Sequence, residues 1–226
     1  MQPSVSELFN RIAPVYDRLN DQLSLGLHHV WKYMAVRWSN PPAGGCCLDV
    51  CCGSGDLARR LAQFVGLGGR VYGLDLAAEL LAVAARSSDR YPMIEWRIGD
   101  ALDLPFEAES FDAATMGYGL RNVGNIPKAL EELRRVLKTG AKAAILDFHR
   151  PSQPLLQAWQ DWYLEQVVVA AAAQLGRLEE YAYIQDSLAR FPGGLAQVQL
   201  AEQAGFGDAV HYPIAAGMMG VLVVTK

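Results

Sequence analysis

The chain has 226 residues, of which 51% are hydrophobic and 19% are charged, and its formal net charge at pH 7 is −4. This length and apolar content are typical of one globular domain. The chain has no excess of basic residues, which argues against sequence-independent binding to nucleic acid. No apolar run reaches the roughly 18 residues of a spanning helix, and the first residues lack the apolar core of a signal peptide, so we expect a cytosolic protein.

The first 40 residues predict two helices, at about 5–19 and 27–38, packed outside a sheet. Strands alternating with helices then follow. Five strands are predicted, at 46–51, 70–75, 94–99, 111–116 and 143–148. The clearest helix begins after Asn125, which can cap it, and is predicted to end before Gly140. This rhythm predicts an α/β fold whose mostly parallel sheet carries helices on both faces.

The rest of the chain departs from that rhythm. Residues 153–190 predict long helical material, and 196–204 predict one more helix. Two strand-like runs, 208–212 and 220–225, are close enough to form an antiparallel hairpin at the end of the sheet, which makes seven strands.

The four cysteines are clustered at Cys46, Cys47, Cys51 and Cys52. Their spacing matches no common zinc pattern and no histidine lies nearby in sequence, so we predict no metal site. We expect reduced, small, buried side chains instead.

Acidic residues recur at the carboxyl ends of the first three strands. Asp49 ends the first, Asp75 ends the second, and Asp100 follows the third. In a parallel sheet these strand ends share one edge, where ligands bind. We therefore expect the three carboxylates to line one crevice.

The turn after the first strand contains Gly53, Ser54 and Gly55, and the run 53–58 satisfies the GxGxxG/A dinucleotide fingerprint. Electrostatics nevertheless favours S-adenosylmethionine (SAM) over NAD(P), because Asp49 and Asp56 flank the turn and would repel a pyrophosphate. SAM is instead cationic at its ammonium and its sulfonium. The nicotinamide cofactor stays open as an alternative.

Each acid suits one part of SAM. Asp49 suits the ammonium, Asp75 suits two ribose hydroxyls, and Asp100 with the backbone of Ala101 suits the adenine edge. The full set of predicted cofactor-binding residues is Asp49, Gly53, Ser54, Gly55, Asp75, Leu76, Asp100, Ala101 and Gly117.

Several segments resemble the ubiquinone/menaquinone-biosynthesis C-methyltransferase family, and the resemblance runs nearly end to end. The segments are 16–24 with 28–31, 49–56, 99–101 with 104–106, 118–123, and 135–141. Leu19, Thr139, Ala141 and Asp147 depart from the family's usual residues. Segments 147–151 and 181–192 look most like the naphthoquinone branch, the cyanobacterial and plant enzymes that complete phylloquinone.

This resemblance implies a class I SAM-methyltransferase (Rossmann-like) fold and methyl transfer to a ring carbon of a prenylated naphthoquinol, demethylphylloquinol or demethylmenaquinol. A ubiquinone-pathway benzoquinol is the alternative acceptor, and a non-catalytic SAM-fold subunit is a further hypothesis. Arg121 and Asn122 are the first catalytic candidates, the arginine for a developing oxyanion and the asparagine for a quinol hydroxyl. The proton acceptor is Tyr16, Asp17, His28 or a water.

We expect one domain, 1–226, in four parts. Residues 1–40 form a helical cap, 41–150 the SAM-binding core, 151–192 a helical insertion over the substrate, and 193–226 a helix and hairpin. The apolar helix around Trp159 and Trp162 suggests weak peripheral contact with a membrane, although this helix lacks the basic face that is typical of membrane-lying helices. The oligomeric state stays open.

Overall fold

The computed structural model describes residues 26–169 and 186–226. The predicted helix at 5–19, the catalytic candidates Tyr16 and Asp17, and the middle of the predicted insertion lie outside these residues. Element numbers below follow the described part of the chain.

Seven strands form one sheet. They are β1 (Cys46–Val50), β2 (Arg70–Asp75), β3 (Ile94–Ile98), β4 (Phe111–Gly117), β5 (Leu137–Phe148), β6 (Asp208–Ile214) and β7 (Met219–Thr225). The α-helices are α1 (Leu27–Ser39), α2 (Asp56–Val65), α3 (Ala78–Arg86), α4 (Ile126–Val136), α5 (Pro154–Tyr163) and α6 (Gly194–Gln203). Short 3-10 turns lie at Leu120–Asn122 and Ala215–Gly217, and a π-helical turn, Leu164–Val169, continues from α5.

The strand order is β3-β2-β1-β4-β5-β7-β6. The first five strands in this order pair in parallel, whereas β7 is antiparallel to both β5 and β6. The predicted fold class is therefore confirmed, including the terminal antiparallel hairpin. A dinucleotide-binding sheet of order 3-2-1-4-5-6 has no strand inserted in this way.

Burial explains why these segments form these elements. Leu48 in β1 and Leu146 in β5 are fully buried, as expected of parallel strands covered on both faces. Helix α4 buries Leu130 and Leu133 on one stripe, and its start is capped because Asn125 Oδ1 accepts from the Lys128 N–H at 3.1 Å. The core thus lies on both faces of the sheet and leaves the strand ends for the site.

One boundary is predicted wrongly. Helix α4 ends at Val136 and β5 begins at once at Leu137, so Gly140 lies inside a strand that is longer than predicted. Leu137 already pairs with Phe111 of β4, and pairing resumes only at Lys142, which makes residues 138–141 a bulge. Gly140 supplies the positive φ (79°) that the bulge requires, rather than a helix stop.

The other predicted strands and helices of the described residues match within about two residues. None of the helices that the structure describes is both long and apolar enough to cross a membrane.

Candidate active site

The turn between β1 and α2 is built on left-handed backbone. Cys51, Gly53 and Gly55 all have positive φ, at 54°, 54° and 87°. A Cβ on Gly55 would lie 2.5 Å from the Trp96 ring, whereas one on Gly53 would meet nothing within 4 Å. Gly55 therefore packs the turn against the sheet, and Gly53 faces open space at the crevice.

Asp75 joins the end of β2 to this turn. One carboxylate oxygen accepts from the Gly53 N–H at 2.8 Å, and the other accepts from the Ala77 N–H at 2.8 Å. Burial raises the pKa of Asp75, although these N–H groups oppose the shift. The carboxylate is consequently held in one orientation at the edge of the sheet.

Asp49 is fully buried near the end of β1. Its Oδ1 accepts from the Thr115 hydroxyl at 2.8 Å, whereas its Oδ2 is buried and makes no hydrogen bond to any residue that the structure describes. Burial raises the pKa of this carboxyl to about 7. A buried acceptor without a partner is costly, so this oxygen suits a cationic donor supplied by a ligand.

The remaining predicted cofactor residues lie along the same edge. Asp100 Oδ1 accepts from the Leu102 N–H at 2.9 Å, Ala101 is buried, and the Leu76 side chain is half exposed beside Asp75. Gly117 ends β4, and a Cβ there would clash with Leu57 of α2. Ser54 is buried within the turn.

The three strands that carry the predicted acids are neighbours in the sheet, in the order β3-β2-β1, and the acids lie at their carboxyl ends. Burial raises the pKa of Cys51 well above its usual value, and the next causes are the nearby charges of Asp75, Asp49, Asp100 and Asp147. The charges of all three predicted acids, and of Asp147 from β5, therefore act on Cys51 in the turn.

Lys32 is a site residue that the sequence prediction missed. It lies on α1 with only 5% of its surface exposed, and its Nζ is 2.7 Å from Asp56 Oδ2. Asp56 Oδ1 meets Arg59 at 2.7 Å. Although burial opposes it, these two cations hold the pKa of Asp56 far below its usual range.

The ion pairs of Asp56 contradict the expectation that this carboxylate repels a pyrophosphate. Asp56 is neutralised by Lys32 and Arg59, so it presents no free negative charge to a ligand in the turn. Asp49, and not Asp56, is accordingly the residue that favours a cationic ligand at this turn.

His28 is buried on α1, and its ring lies 4.0 Å from that of His29. One ligand atom each of His28, His29 and Asp56 lies within 4.8 Å of the others, a grouping that could hold a metal ion. Both Asp56 oxygens already contact cations, however, which disfavours a further cation there. We assign no metal to these residues.

Arg121 and Asp147 form a buried ion pair at the ends of β4 and β5, with side chains 6% and 2% exposed. Asp147 also accepts from the Arg121 backbone N–H at 3.1 Å. The guanidinium further contacts the Ser187 hydroxyl at 3.3 Å, and its centre lies 5.1 Å from the Phe148 ring centroid. Arg121 is thus firmly oriented, with its charge balanced by a residue 26 positions away.

Asn122 lies in the 3-10 turn beside Arg121. Its amide nitrogen donates to the Tyr118 carbonyl at 2.9 Å, whereas its Oδ1 is buried without a hydrogen-bond partner among the described residues. Tyr118 has a positive φ of 59°, a strained conformation for a bulky residue. This side of the crevice therefore offers a buried acceptor beside a strained turn.

A polar cluster beyond Asp147 was also missed. His149 Nε2 lies 3.1 Å from His211 Nε2 and 3.2 Å from Gln197 Nε2. Burial, followed by the charge of His211, lowers the pKa of His149 to about 4. The partners are 48 and 62 residues away, so no local sequence signal could reveal them.

The cysteines form no disulfide; Cys47 and Cys52 are buried, and Cys46 and Cys51 are partly so. A separate cavity is lined by residues that include Cys46, Tyr72, Arg97 and Phe111. Cys46 and Phe111 begin their strands, which places this cavity toward the amino ends, away from the acids. The site is therefore assigned to the carboxyl edge.

Comparison with solved structures supports the fold. A SAM-dependent methyltransferase of Thermotoga maritima matches with a TM-score of 0.70 at 20% identity, covering 97% of this chain and 99% of that one. A Haloferax volcanii methyltransferase, solved in complex with the activator Trm112, matches with a TM-score of 0.73 at 18% identity, covering 100% and 99%.

Several proteins of known name are similar to this chain over nearly its whole length. The chain is 61% identical over its full length to a Nostoc punctiforme protein named 2-phytyl-1,4-naphtoquinone methyltransferase, and all of that protein is covered. A Synechocystis protein of that name is 60% identical, covering 100% of this chain and 96% of the other. An Arabidopsis thaliana protein, named 2-phytyl-1,4-beta-naphthoquinone methyltransferase, chloroplastic, is 49% identical, covering 97% and 86%.

The profile of the ubiE/COQ5 methyltransferase family matches residues 1–226. This match and the relatives overturn the nicotinamide alternative that the glycine fingerprint had left open. The chain therefore belongs to the ubiE/COQ5 methyltransferase family and uses S-adenosylmethionine as its methyl donor.

Proposed function

We propose that this protein methylates a ring carbon of 2-phytyl-1,4-naphthoquinone in its reduced, naphthoquinol form, a step of phylloquinone biosynthesis. The relatives that carry this name match nearly the whole chain at 49–61% identity, which favours a naphthoquinol over a benzoquinol. The structural observation that carries the proposal is a pair of buried oxygens without partners among the described residues, Asp49 Oδ2 and Asn122 Oδ1. One suits a cationic methyl donor and the other suits a hydroxyl of the acceptor.

The residues at the carboxyl edge fit SAM, whose bound sulfonium supplies an electrophilic methyl group. We place its ammonium at Asp49 and its ribose hydroxyls at Asp75, whose carboxylate is already fixed by two N–H groups. Asp100, Ala101 and Leu76 take the adenine edge. The residues that bound the remainder of the cofactor site are Gly53, Ser54, Gly55 and Gly117.

The acceptor must be reduced, because a quinone ring is electron-poor. Loss of a hydroxyl proton from the quinol places negative charge on the ring carbon, which forms the new carbon–carbon bond as the sulfur–methyl bond breaks. The ring proton then leaves, and S-adenosylhomocysteine is the second product. Alignment of the two reactants can contribute roughly 7–11 kcal/mol to such a reaction.

The chain's own residues orient and stabilise this acceptor. Asn122 Oδ1 accepts from a quinol hydroxyl, and an Arg121 N–H donates to the developing oxyanion, while Asp147 holds the guanidinium in place. Arg121 is a poor base, so the proton acceptor is Tyr16, Asp17, His28 or a water. Of these side chains, the structure describes His28, which is buried on α1.

The test offers the enzyme methyl-labelled SAM with a reduced demethylnaphthoquinol or a reduced benzoquinol. We expect label on the naphthoquinol ring carbon and none when the oxidised quinone is supplied without a reductant. Asn122→Ala should lower turnover while leaving the affinity for S-adenosylhomocysteine unchanged. Label on oxygen, or on the benzoquinol alone, would refute the proposed acceptor.

The insertion 151–192 is proposed to cover the acceptor within a single domain, and its first helix to contact a membrane. Helix α5 exposes Leu155, Trp159 and Trp162, which repeat at helical spacing on one face. A phytyl-bearing acceptor partitions into bilayers, so the protein must collect it there. We therefore propose a cytosolic protein that meets the bilayer only peripherally through this face.

Liposome co-sedimentation tests this contact. Leu155→Ala and Trp162→Ala should each weaken binding to lipid vesicles. Leu67→Ala is the matched control, because Leu67 is as exposed as Leu155 (87% and 86%) but follows α2. No vesicle binding at low salt, or equal losses in all three variants, would remove the proposal.

A further inference from the structure

Lys32 is a buried cation, and its ion pair with Asp56 is only one of its contacts near the glycine turn. Its ammonium contacts Asp56 and lies 5.9 Å from the Tyr118 ring centroid. Burial raises the pKa of Asp49, and the nearby charge of Lys32 is among the effects that oppose this shift. These neighbours come from three places: the start of α2, the turn after β4, and the end of β1. Lys32 therefore lies between the glycine turn and the end of β4.

The charges around Lys32 do not balance within this group. Asp56 is shared between Lys32 and Arg59, so two cations face one carboxylate. Asp49 lies nearby with a free Oδ2, and its burial favours the neutral form near pH 7. A buried ammonium is costly to retain unless its charge is compensated.

A zwitterion would complete both halves of this arrangement. An ammonium and a carboxylate on one carbon would satisfy Asp49 Oδ2 and Lys32 together. The zwitterion has no net charge, so the excess positive charge is removed when Asp49 ionises beside the bound ammonium. Resting on the proposed cofactor position, we infer that Lys32 binds the α-carboxylate of the methionyl part of SAM, while Asp49 binds its ammonium. Lys32 is then a cofactor-binding residue that selects adenosyl ligands carrying an intact amino acid.

The alternative is that Lys32 has only a structural role and holds α1 against α2 through its ion pair with Asp56. The binding of a ligand that lacks the amino acid distinguishes the two roles. S-adenosylhomocysteine carries the amino acid, whereas 5′-methylthioadenosine keeps the adenosine and the neutral sulfur but lacks the amino acid. The affinity of each variant for both ligands is measured by titration calorimetry, so that a partly misfolded fraction cancels in the ratio of the two constants.

We expect Lys32→Met to weaken S-adenosylhomocysteine binding roughly 10- to 100-fold, as for one hydrogen bond to a charged group, and to leave 5′-methylthioadenosine within about threefold. Lys32→Arg should recover most of the lost affinity. Lys138→Met is the control, because the Lys138–Asp112 pair is equally short (2.7 Å) but lies at the opposite edge of the sheet.

Equal losses for the two ligands would show that Lys32 acts only by holding α1, and no loss for either would show that it does not contact the cofactor; each result overturns the inference. If the unmodified protein binds neither ligand, the proposed cofactor site itself fails, and the inference fails with it. That outcome is distinguishable because it does not depend on any substitution at Lys32.

Discussion

The two halves of the crevice are held in place by different kinds of interaction. In the β1–β2 half, the Asp75 carboxylate is held by backbone N–H groups of Gly53 and Ala77. In the β4–β5 half, Arg121 pairs with Asp147, and His149 meets His211. The glycine turn of the first half depends on backbone shape, whereas the second half depends on buried polar side chains. Side-chain substitutions should accordingly affect ligand affinity in the first half and folding as well as turnover in the second.

The largest expected effect lies in the β4–β5 half. Arg121→Met leaves the Asp147 carboxylate buried without its cation, which should lower the free energy of unfolding by roughly 3–5 kcal/mol. Arg97→Met, which breaks the exposed Arg97–Glu95 pair, should cost less than about 1 kcal/mol. Denaturant unfolding measures both.

A second substitution tests the cause. Adding Asp147→Asn to Arg121→Met removes the orphaned charge and should restore most of the lost stability. Turnover should stay low in both variants, because the guanidinium N–H groups beside the acceptor are gone. If Arg121→Met costs no more than Arg97→Met, the contrast between the two halves is unsupported.

The difference between the halves also explains what the sequence could predict. The strands and the three acids of the carboxyl edge were predicted because apolar runs, glycines and strand-end carboxylates are local signals. Asp49 and Asp75 each follow directly from the strand that carries them. The residues that bind SAM stay a prediction, since the fold brings them together without showing a ligand.

What was missed depends on pairing between distant segments. Gly140 reads locally as a helix stop, but the register between β4 and β5 makes it part of a bulge. Lys32 reads as one polar position on a cap helix, and its partner Asp56 is 24 residues away. The His149–His211 contact spans 62 residues. Such contacts exist only after the sheet has formed.

The second prediction concerns affinity in the β1–β2 half. Asp75→Ala should raise the dissociation constant of S-adenosylhomocysteine roughly 10- to 100-fold, because a charged hydrogen-bond acceptor for the ribose is lost. Asp112→Ala is a matched control, since Asp112 also accepts from a backbone N–H, that of Cys46 at 2.9 Å, but at the other edge. Calorimetric titration that finds equal affinities for the two variants would contradict the assignment of Asp75.

The third prediction separates two glycines of one turn. Both have positive φ, so an alanine at either strains the backbone by about 1–2 kcal/mol. Gly55→Ala also drives its Cβ into Trp96 and should cost a further 1–3 kcal/mol or so of unfolding free energy. Gly53→Ala meets open space, and its main effect should be weaker S-adenosylhomocysteine binding. Thermal unfolding and titration of both variants measure this; equal stabilities would mean that Gly55 does not pack the turn.

The smallest expected effect is a pH dependence that arises from Asp49. Burial raises its pKa from 3.8 to about 7, so the folded, ligand-free protein holds this carboxyl protonated below neutrality. With the raised pKa, the contribution of Asp49 to stability falls as pH rises from about 4 to 7 and is constant above that range. Ligand binding has the opposite sign, because an ammonium favours the ionised carboxylate. The affinity for S-adenosylhomocysteine should therefore increase about tenfold between pH 5.5 and pH 6.7, a range about one unit below the usual pKa of an α-amino group. Asp49→Asn should bind more weakly with a flatter profile, whereas an unchanged slope would assign the titration to another group and leave the Asp49 oxygen without its proposed partner.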